Sequence, residues 1–236
     1  MDNGLIVILV IVLLGLGITG AIFAHRQQQK RRQALAELAA QLGWTFDPNH
    51  ERPERDDYAG FPAFTRGHSQ ARFNTLAGPV EICGRSTSAV MGDFRYKVTS
   101  SNGKSTTTRT YNFSYLIIDI PLPGVPDLLV RREHLLDKLA GAMGFDDIDF
   151  ESEEFSRKFH VTSPDRKFAY DVIHPRMMEF LMSGGGAAVE IRCGRLCLTD
   201  GSDCWEPRAF TDGLDWARDY FGLWPEYLTQ QLTARS

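Results

Sequence analysis

The chain contains one short motif whose residue types suit phosphate binding. Gly103-Lys104-Ser105 matches the end of the glycine-rich loop that holds nucleotide phosphates. The full motif has another glycine five positions earlier, where this chain has Val98. A helix should then follow, but residues 106–119 are rich in the β-branched and aromatic types that favour strands. We therefore predict that the chain binds no nucleotide.

The same residues predict a β-hairpin. Asn102-Gly103 is a preferred central pair of a type I′ turn. A two-residue loop there produces the pairs Val98–Thr107, Tyr96–Arg109 and Phe94–Tyr111. One face then carries six apolar side chains: Phe94, Tyr96, Val98, Tyr111, Phe113 and Tyr115.

The three cysteines Cys193, Cys197 and Cys204 raise the possibility of a zinc site. Their spacings differ from the paired C-x2-C pattern, and no histidine follows nearby. Residues 189–201 instead predict a hairpin that turns at Gly194-Arg195. In that hairpin Cys193 is buried among the apolar residues of one face, and Cys197 lies on the other face. We predict no metal site.

No other motif indicates catalysis or a cofactor. The six histidines form no H-E-x-x-H pattern, and no G-x-S-x-G or Rossmann glycine pattern occurs. A calcium loop that starts at Asp147 requires glycine and glutamate where the chain has Ser152 and Lys158. The formal net charge of −4, without a basic and aromatic strip in the domain, argues against nucleic acid. The sequence therefore identifies no catalytic residue, no cofactor and no nucleic-acid partner.

The amino-terminal residues 1–24 predict a transmembrane anchor. Gly4–Ala24 contains no charged residue, and as a helix it would span about 31 Å, the thickness of the bilayer core. A secretory signal peptide is the alternative, but the segment before the apolar run lacks the basic residues of such a signal. We therefore expect a single uncleaved span whose partner is the lipid bilayer.

Charges next to the apolar run predict its orientation. Arg26, Lys30, Arg31 and Arg32 follow it, whereas only Asp2 and the terminal amine precede it. Basic residues beside a span stay on the cytoplasmic side, so the amino terminus is expected outside the cell membrane and the large domain in the cytoplasm. The four cysteines are then expected to be reduced thiols.

Small residues within the span predict a possible contact face. Gly17 and Ala21 are four residues apart, as are Gly20 and Ala24, a spacing that lets two membrane helices approach closely. The contact would be with a second copy of the chain or with another membrane protein.

The remaining residues predict an α+β fold, in which an antiparallel sheet packs with several short helices. Residues 25–43 form a basic helical stalk that ends at Gly43, and residues 44–120 read as a strand-rich meander that includes a strand at 61–67. A proline-rich connector then opens a mixed helix and strand subdomain at 121–236. Within it we predict the following elements: a strand then a helix over 127–144, a helix capped by Ser163, another starting at Pro175, and two terminal helices.

Several segments resemble a family of uncharacterised bacterial proteins that carry a domain of unknown function. The resemblance rests mainly on DIDFESEEFSRKFHV at 147–161 and DRKFAYDVIHPRMMEFLM at 165–182, together with LGWTF, GDFRYKV and LPGVPDLLV. Members of that family have one amino-terminal membrane span and are most common in high-GC Gram-positive bacteria. The resemblance implies membrane association and assigns no catalytic residue.

Two classes of function fit these observations. The first is a membrane-anchored cytoplasmic module that binds a partner or ligand. The second is an enzyme with an unrecognised site, in a cleft between the strand-rich half and the helices of residues 164–181. The absence of motifs favours the binding module.

Overall fold

The computed structural model describes residues 3–53, 58, 60–132, 147–184 and 188–234. Its helices are α1 (Asn3–Leu42), α2 (Glu153–Lys158), α3 (Arg166–Val172), α4 (Pro175–Ser183), α5 (Pro207–Gly222) and α6 (Glu226–Thr233). Its strands are β1 (Thr45–Asp47), β2 (His68–Ile82), β3 (Arg85–Ser101), β4 (Thr106–Asp119), β5 (Leu128–Arg132), β6 (Phe159–Thr162), β7 (Ala188–Arg192) and β8 (Arg195–Thr199). The α+β class with an antiparallel sheet is confirmed.

One eight-stranded sheet, in which every described pair is antiparallel, organises the domain. Its strand order is β1-β2-β3-β4-β8-β7-β5-β6. Strands from residues 44–120 thus meet strands from residues 121–236 where β4 pairs with β8. The sheet and its core are continuous across that junction.

Helix α1 is a single helix from Asn3 to Leu42, about 60 Å long, so the apolar segment and the basic stalk share one axis. Its end packs on the sheet through Leu35 and Ala39, which belong to the main core. Gly43 ends it with a φ of +70°, as predicted, and the indole of Trp44 then donates to the carbonyl of Pro79 at 3.0 Å. Within the described residues, no helix is identified that combines the length and the apolar character needed to cross a membrane.

A second, smaller core covers the opposite face of the sheet. It consists largely of aromatic residues, among them Phe61, Phe64, Phe94, Phe113 and Tyr115. The strand predicted at 61–67 is wrong, because Pro62–Thr65 forms a 3-10 helix that places Phe64 over the sheet. Phe64 packs edge-on against Phe94 at 4.9 Å.

The hairpin between β3 and β4 has the predicted face but not the predicted register. Val98 pairs with Arg109 and Tyr96 pairs with Tyr111, two residues from the predicted partners. The loop has four residues because the Asn102 side chain accepts hydrogen bonds from the backbone amides of residues 104 and 105. A shift of two preserves the side-chain alternation, so the apolar face is confirmed.

The hairpin between β7 and β8 corrects the prediction for Cys193. Arg192 pairs with Arg195, so the turn consists of Cys193 and Gly194, both with positive φ. Cys193 is exposed in this turn, and the prediction that it is buried is wrong. Cys197 lies on the opposite face, as predicted, and it is buried there.

Predictions for the remaining segments have mixed outcomes. The strand after the proline-rich connector is β5, whereas the helix predicted to follow it lies outside the described residues. Pro175 begins α4 as predicted, and α5 and α6 are the two terminal helices. The cap of α3 is Asp165 rather than Ser163, because the Asp165 carboxylate accepts from the amide of Phe168 at 3.0 Å.

Candidate functional site

The predicted contact face on α1 is only partly described. Gly17 and Gly20 are exposed, and a methyl group added to either would meet no atom within 4 Å. The side chains of Ala21 and Ala24 are outside the described residues. Self-association through this face therefore stays a prediction.

A buried ion pair joins the stalk to the sheet. Along β3 the side chains of Ala89 and Met91 point into the main core, and Asp93 continues the same alternation with no exposed surface. Arg31 of α1 donates from Nη2 to Asp93 Oδ1 at 2.8 Å and from Nε to Oδ2 at 3.2 Å. This two-pronged contact fixes how α1 is rotated and where it meets the sheet.

Asn74 supplies a further donor from a β-bulge. Between Phe73 and Leu76, β2 advances three residues while β3 advances two, and Asn74 in the extra stretch has a φ of +51°. Its amide nitrogen donates to Asp93 Oδ2 at 2.8 Å. A carboxylate only accepts, so the amide orientation is determined, and the Asn74 oxygen faces away from Asp93.

That oxygen has no hydrogen-bond partner among the described residues. The Asn74 side chain is 1% exposed, so the oxygen is withdrawn from bulk water. Buried acceptors are normally paired, and an unpaired one costs about 1–3 kcal/mol.

Ser114 connects the ion pair to the loop before α5. Its hydroxyl donates to Asp93 Oδ1 at 2.6 Å and accepts from the backbone amide of Trp205 at 2.8 Å. The Arg31 guanidinium also donates to the Trp205 carbonyl. The helix, the sheet and this loop therefore meet at one polar cluster, formed by Arg31, Asn74, Asp93 and Ser114, which we call the polar pin.

A cavity of about 560 Å³ opens beside the polar pin. Its wall on α1 is formed by Gln27, Gln28, Lys30, Arg31 and Ala34, and its floor on the sheet by Phe73, Asn74, Asp93, Arg95 and Asn112. Cys204, Glu206 and Pro207 close the third side. Arg95 is held in place by stacking over Phe73 at 5.1 Å and by a 2.9 Å bond to Asn112.

Cys204 is a protonated thiol at this cavity. Although its side chain contacts solvent, desolvation within the cavity raises its pKa to about 12, and the carboxylate of Asp93 contributes in the same direction. A thiolate does not form there near neutral pH, so Cys204 acts as a weak hydrogen-bond donor. Among the described residues, no group of three or more cysteine, histidine or acidic side chains is placed to hold a metal ion.

Sequence reasoning missed the polar pin because its members are distant in the chain. Arg31 and Asp93 are 62 residues apart, and the sequence alone places Arg31 only among the basic residues beside the span. One local signal was available: Asp93 occupies an inward position of β3, after Ala89 and Met91. A charged residue at such a position implies a buried partner.

The sheet and its covering helices define an α+β domain with a pinned amino-terminal helix. Its fold is similar to that of a mycobacterial protein, trehalose monomycolate transport factor A (TtfA), known from a crystal structure. The TM-score is 0.52 at 11% sequence identity, and the match covers 84% of this chain and 94% of that one. No protein-family model matches the chain, and a search of curated protein sequences found no match. The resemblance to a bacterial membrane-protein family stays a prediction.

Proposed function

We propose that the protein is a membrane-anchored binding module that holds the hydroxyl-bearing headgroup of a membrane lipid in the cavity beside the polar pin. The sequence of Gly4–Ala24 supports the anchor, because it carries no charged residue and as a helix it would span about 31 Å. The basic residues that follow support a cytoplasmic domain.

The position of the cavity relative to the anchor supports access from the lipid headgroup layer. Gln27 and Lys30 line the cavity, and they follow Ala24 by three and six residues. At 1.5 Å per helical residue these are axial distances of about 4 and 9 Å. Headgroups occupy the outer 5–8 Å or so of each leaflet, so a lipid in the same leaflet can reach the cavity without leaving the bilayer.

The polar lining of the cavity carries the choice of ligand class. Gln27, Gln28 and Asn112 line the cavity, and their amide groups can both donate to and accept from hydroxyls. Lys30 and Arg95 lie around the same cavity and suit a phosphate or an electron-rich sugar oxygen, while Glu206 accepts further hydroxyls. A polyol or sugar headgroup combines these features, whereas a choline headgroup has no donor.

The structural neighbour fits the same class of ligand. TtfA is named for the transport of trehalose monomycolate, and trehalose is a sugar. By analogy we propose that this chain assists the handling of a headgroup-bearing lipid at the cytoplasmic leaflet. The likeness lies in the fold, and the polar lining of the cavity supplies the argument for this chain.

The proposal is tested by lipid binding to the full chain in detergent, measured by native mass spectrometry. The probes are phosphatidylglycerol, which has a phosphate and free hydroxyls, a synthetic trehalose monoester, and phosphatidylcholine. We expect the first two to be retained and phosphatidylcholine to be lost. Equal retention of all three lipids contradicts the proposal.

Two variants connect binding to the cavity. Asn74→Gly removes a side chain from the cavity floor at a backbone conformation that glycine tolerates, and it should weaken both lipids that bind. Lys30→Gln should weaken phosphatidylglycerol more than the uncharged ester. Arg26→Gln is the matched control, because it removes the same charge from the same helix without lining the cavity. Loss of binding in the control to the same degree would indicate non-specific charge attraction.

A further inference from the structure

We infer that a groove beside α4 docks a basic amphipathic helix of a partner protein. The groove lies between α4 and residues 149–152, and it shares no lining residue with the cavity beside the polar pin. We call it the methionine groove, because Met178 and Met182 line it. The inference needs neither the anchor nor the lipid ligand of the proposed function.

The corner between α3 and α4 forms the apolar floor of the methionine groove. Helix α3 ends at Val172 and α4 begins at Pro175, so the chain turns sharply there. Ile173 lies in this corner, and Met178 and Met182 follow one helical turn apart on the same side of α4. The groove has a volume of about 580 Å³. Its flexible thioether side chains can adapt to the shape of an apolar partner.

Two aromatic rings form a wall of the groove that is already in place. Phe150 packs edge-on against Phe155 with ring centroids 5.5 Å apart, and against Tyr170 at 5.2 Å. The Tyr170 hydroxyl donates to the carbonyl of Asp149 at 3.1 Å, so its ring is held although the residue is 45% exposed. An exposed aromatic side chain that is already ordered loses little conformational entropy when a partner covers it.

The charge of the groove is negative. Glu151 and Glu179 are exposed residues of its lining, one from each side. Their side chains form no hydrogen bond or ion pair with any described residue, whereas the nearby Glu154 pairs with Lys158 at 2.6 Å. No lysine or arginine is among the described residues that line the groove.

Charge complementarity therefore selects the partner. A helix that carries an apolar stripe flanked by lysine or arginine places its stripe on the methionines and its charges beside the two glutamates. An acidic helix would bring like charges together. A second copy of this chain is a poorer fit, because its basic helix α1 already buries Leu35 and Ala39 in the core.

The test uses the full chain in phosphatidylcholine nanodiscs and a synthetic peptide of about 14 residues, with leucines on one face of the helix and lysines elsewhere. Hydrogen peroxide oxidises the half-buried thioether of Met182, and peptide mass spectrometry measures the rate, with the fully buried Met177 as the internal reference. Bound peptide should slow the oxidation of Met182. A peptide of the same composition in scrambled order should not.

A matched pair of variants connects this protection to the charge of the groove. Glu151→Gln/Glu179→Gln keeps the size of both side chains and removes their charge. Loss of two exposed charge pairs weakens binding about fivefold, so half-maximal protection of Met182 should require about fivefold more peptide. The control Glu37→Gln/Glu81→Gln removes the same charge from exposed residues outside the groove and should leave the protection unchanged.

Three outcomes would overturn the inference. The first is the absence of protection by the amphipathic peptide. The second is equal protection by both peptides, or an equal loss in both double variants, since either indicates non-specific attraction. The third comes from carbodiimide coupling without peptide, which joins carboxylates to lysines in contact. Amide bonds from Glu151 or Glu179 to a lysine of a second copy would identify that copy as the occupant.

Discussion

Replacement of Arg31 by methionine should destabilise the domain far more than the loss of an ordinary surface ion pair. The Asp93 side chain is fully buried, and the Arg31 side chain is 19% exposed. Without the guanidinium, Asp93 keeps the donors of Asn74 and Ser114 and the weak thiol donor of Cys204 for a full charge that has no contact with water. Removal of one partner from a buried pair costs about 3–5 kcal/mol, a large share of the 5–15 kcal/mol or so that stabilises a typical domain.

The measurement is urea unfolding of the full chain in mild detergent, followed by tryptophan fluorescence. Trp205 is a useful reporter, because its backbone carbonyl accepts from Arg31. The exposed pair between Arg72 and Glu51 has the same 2.8 Å contact, and Glu51→Gln provides the control. We expect that control to cost less than about 1 kcal/mol.

A double variant separates the buried charge from lost packing. In Arg31→Met/Asp93→Asn no unpaired charge remains, and the amide oxygen still accepts from Ser114 or Asn74. The double variant should therefore be at least as stable as Arg31→Met alone, with a coupling free energy of about 2 kcal/mol or more. A cost below about 1 kcal/mol for Arg31→Met, equal to that of the control, would refute the reasoning.

Two further predictions concern Trp44 and Cys204. A methyl group on Gly78 would lie 2.2 Å from the Trp44 ring. Gly78→Ala should therefore lower the free energy of unfolding by about 1–3 kcal/mol in the same assay. An unchanged unfolding midpoint would contradict this packing. Because the Cys204 pKa is about 12, the rate of its alkylation should rise about tenfold per pH unit from pH 7 to 9.5 without reaching a plateau. Peptide mass spectrometry measures this rate, with Cys193 as the exposed comparison. A plateau below pH 9.5 would contradict the raised pKa.

Local composition predicted the elements well where the decisive forces are local. The Thr-rich segment after residue 105 forms β4, and Gly43 ends α1, because each depends on residues within one turn or strand. The register of the β3–β4 hairpin was wrong by two, since the Asn102 side chain caps a wider loop. The β7–β8 turn was displaced by one residue, because Cys193 adopts a positive φ that usually favours glycine.

The candidate site was less predictable, because it depends on how α1 docks. Nothing near Arg31 in the sequence distinguishes it from its neighbour Arg32, and only the fold places it opposite Asp93. The unpaired Asn74 oxygen likewise depends on a bulge that forms when β2 pairs with β3. Such features arise from contacts between distant segments, which periodicity and composition do not encode.

The continuity of α1 gives the polar pin a consequence for function. Helix α1 runs from the proposed span into the core, where the polar pin and the packing of Leu35 hold it against the sheet. Any tilt of the span is therefore transmitted to the sheet. The cavity mouth would then keep a constant depth relative to the lipid headgroups. Arg31→Met should loosen the attachment of α1 to the sheet under conditions in which the domain is still folded. The retention of phosphatidylglycerol by the cavity should therefore weaken in that variant under conditions where the core remains folded.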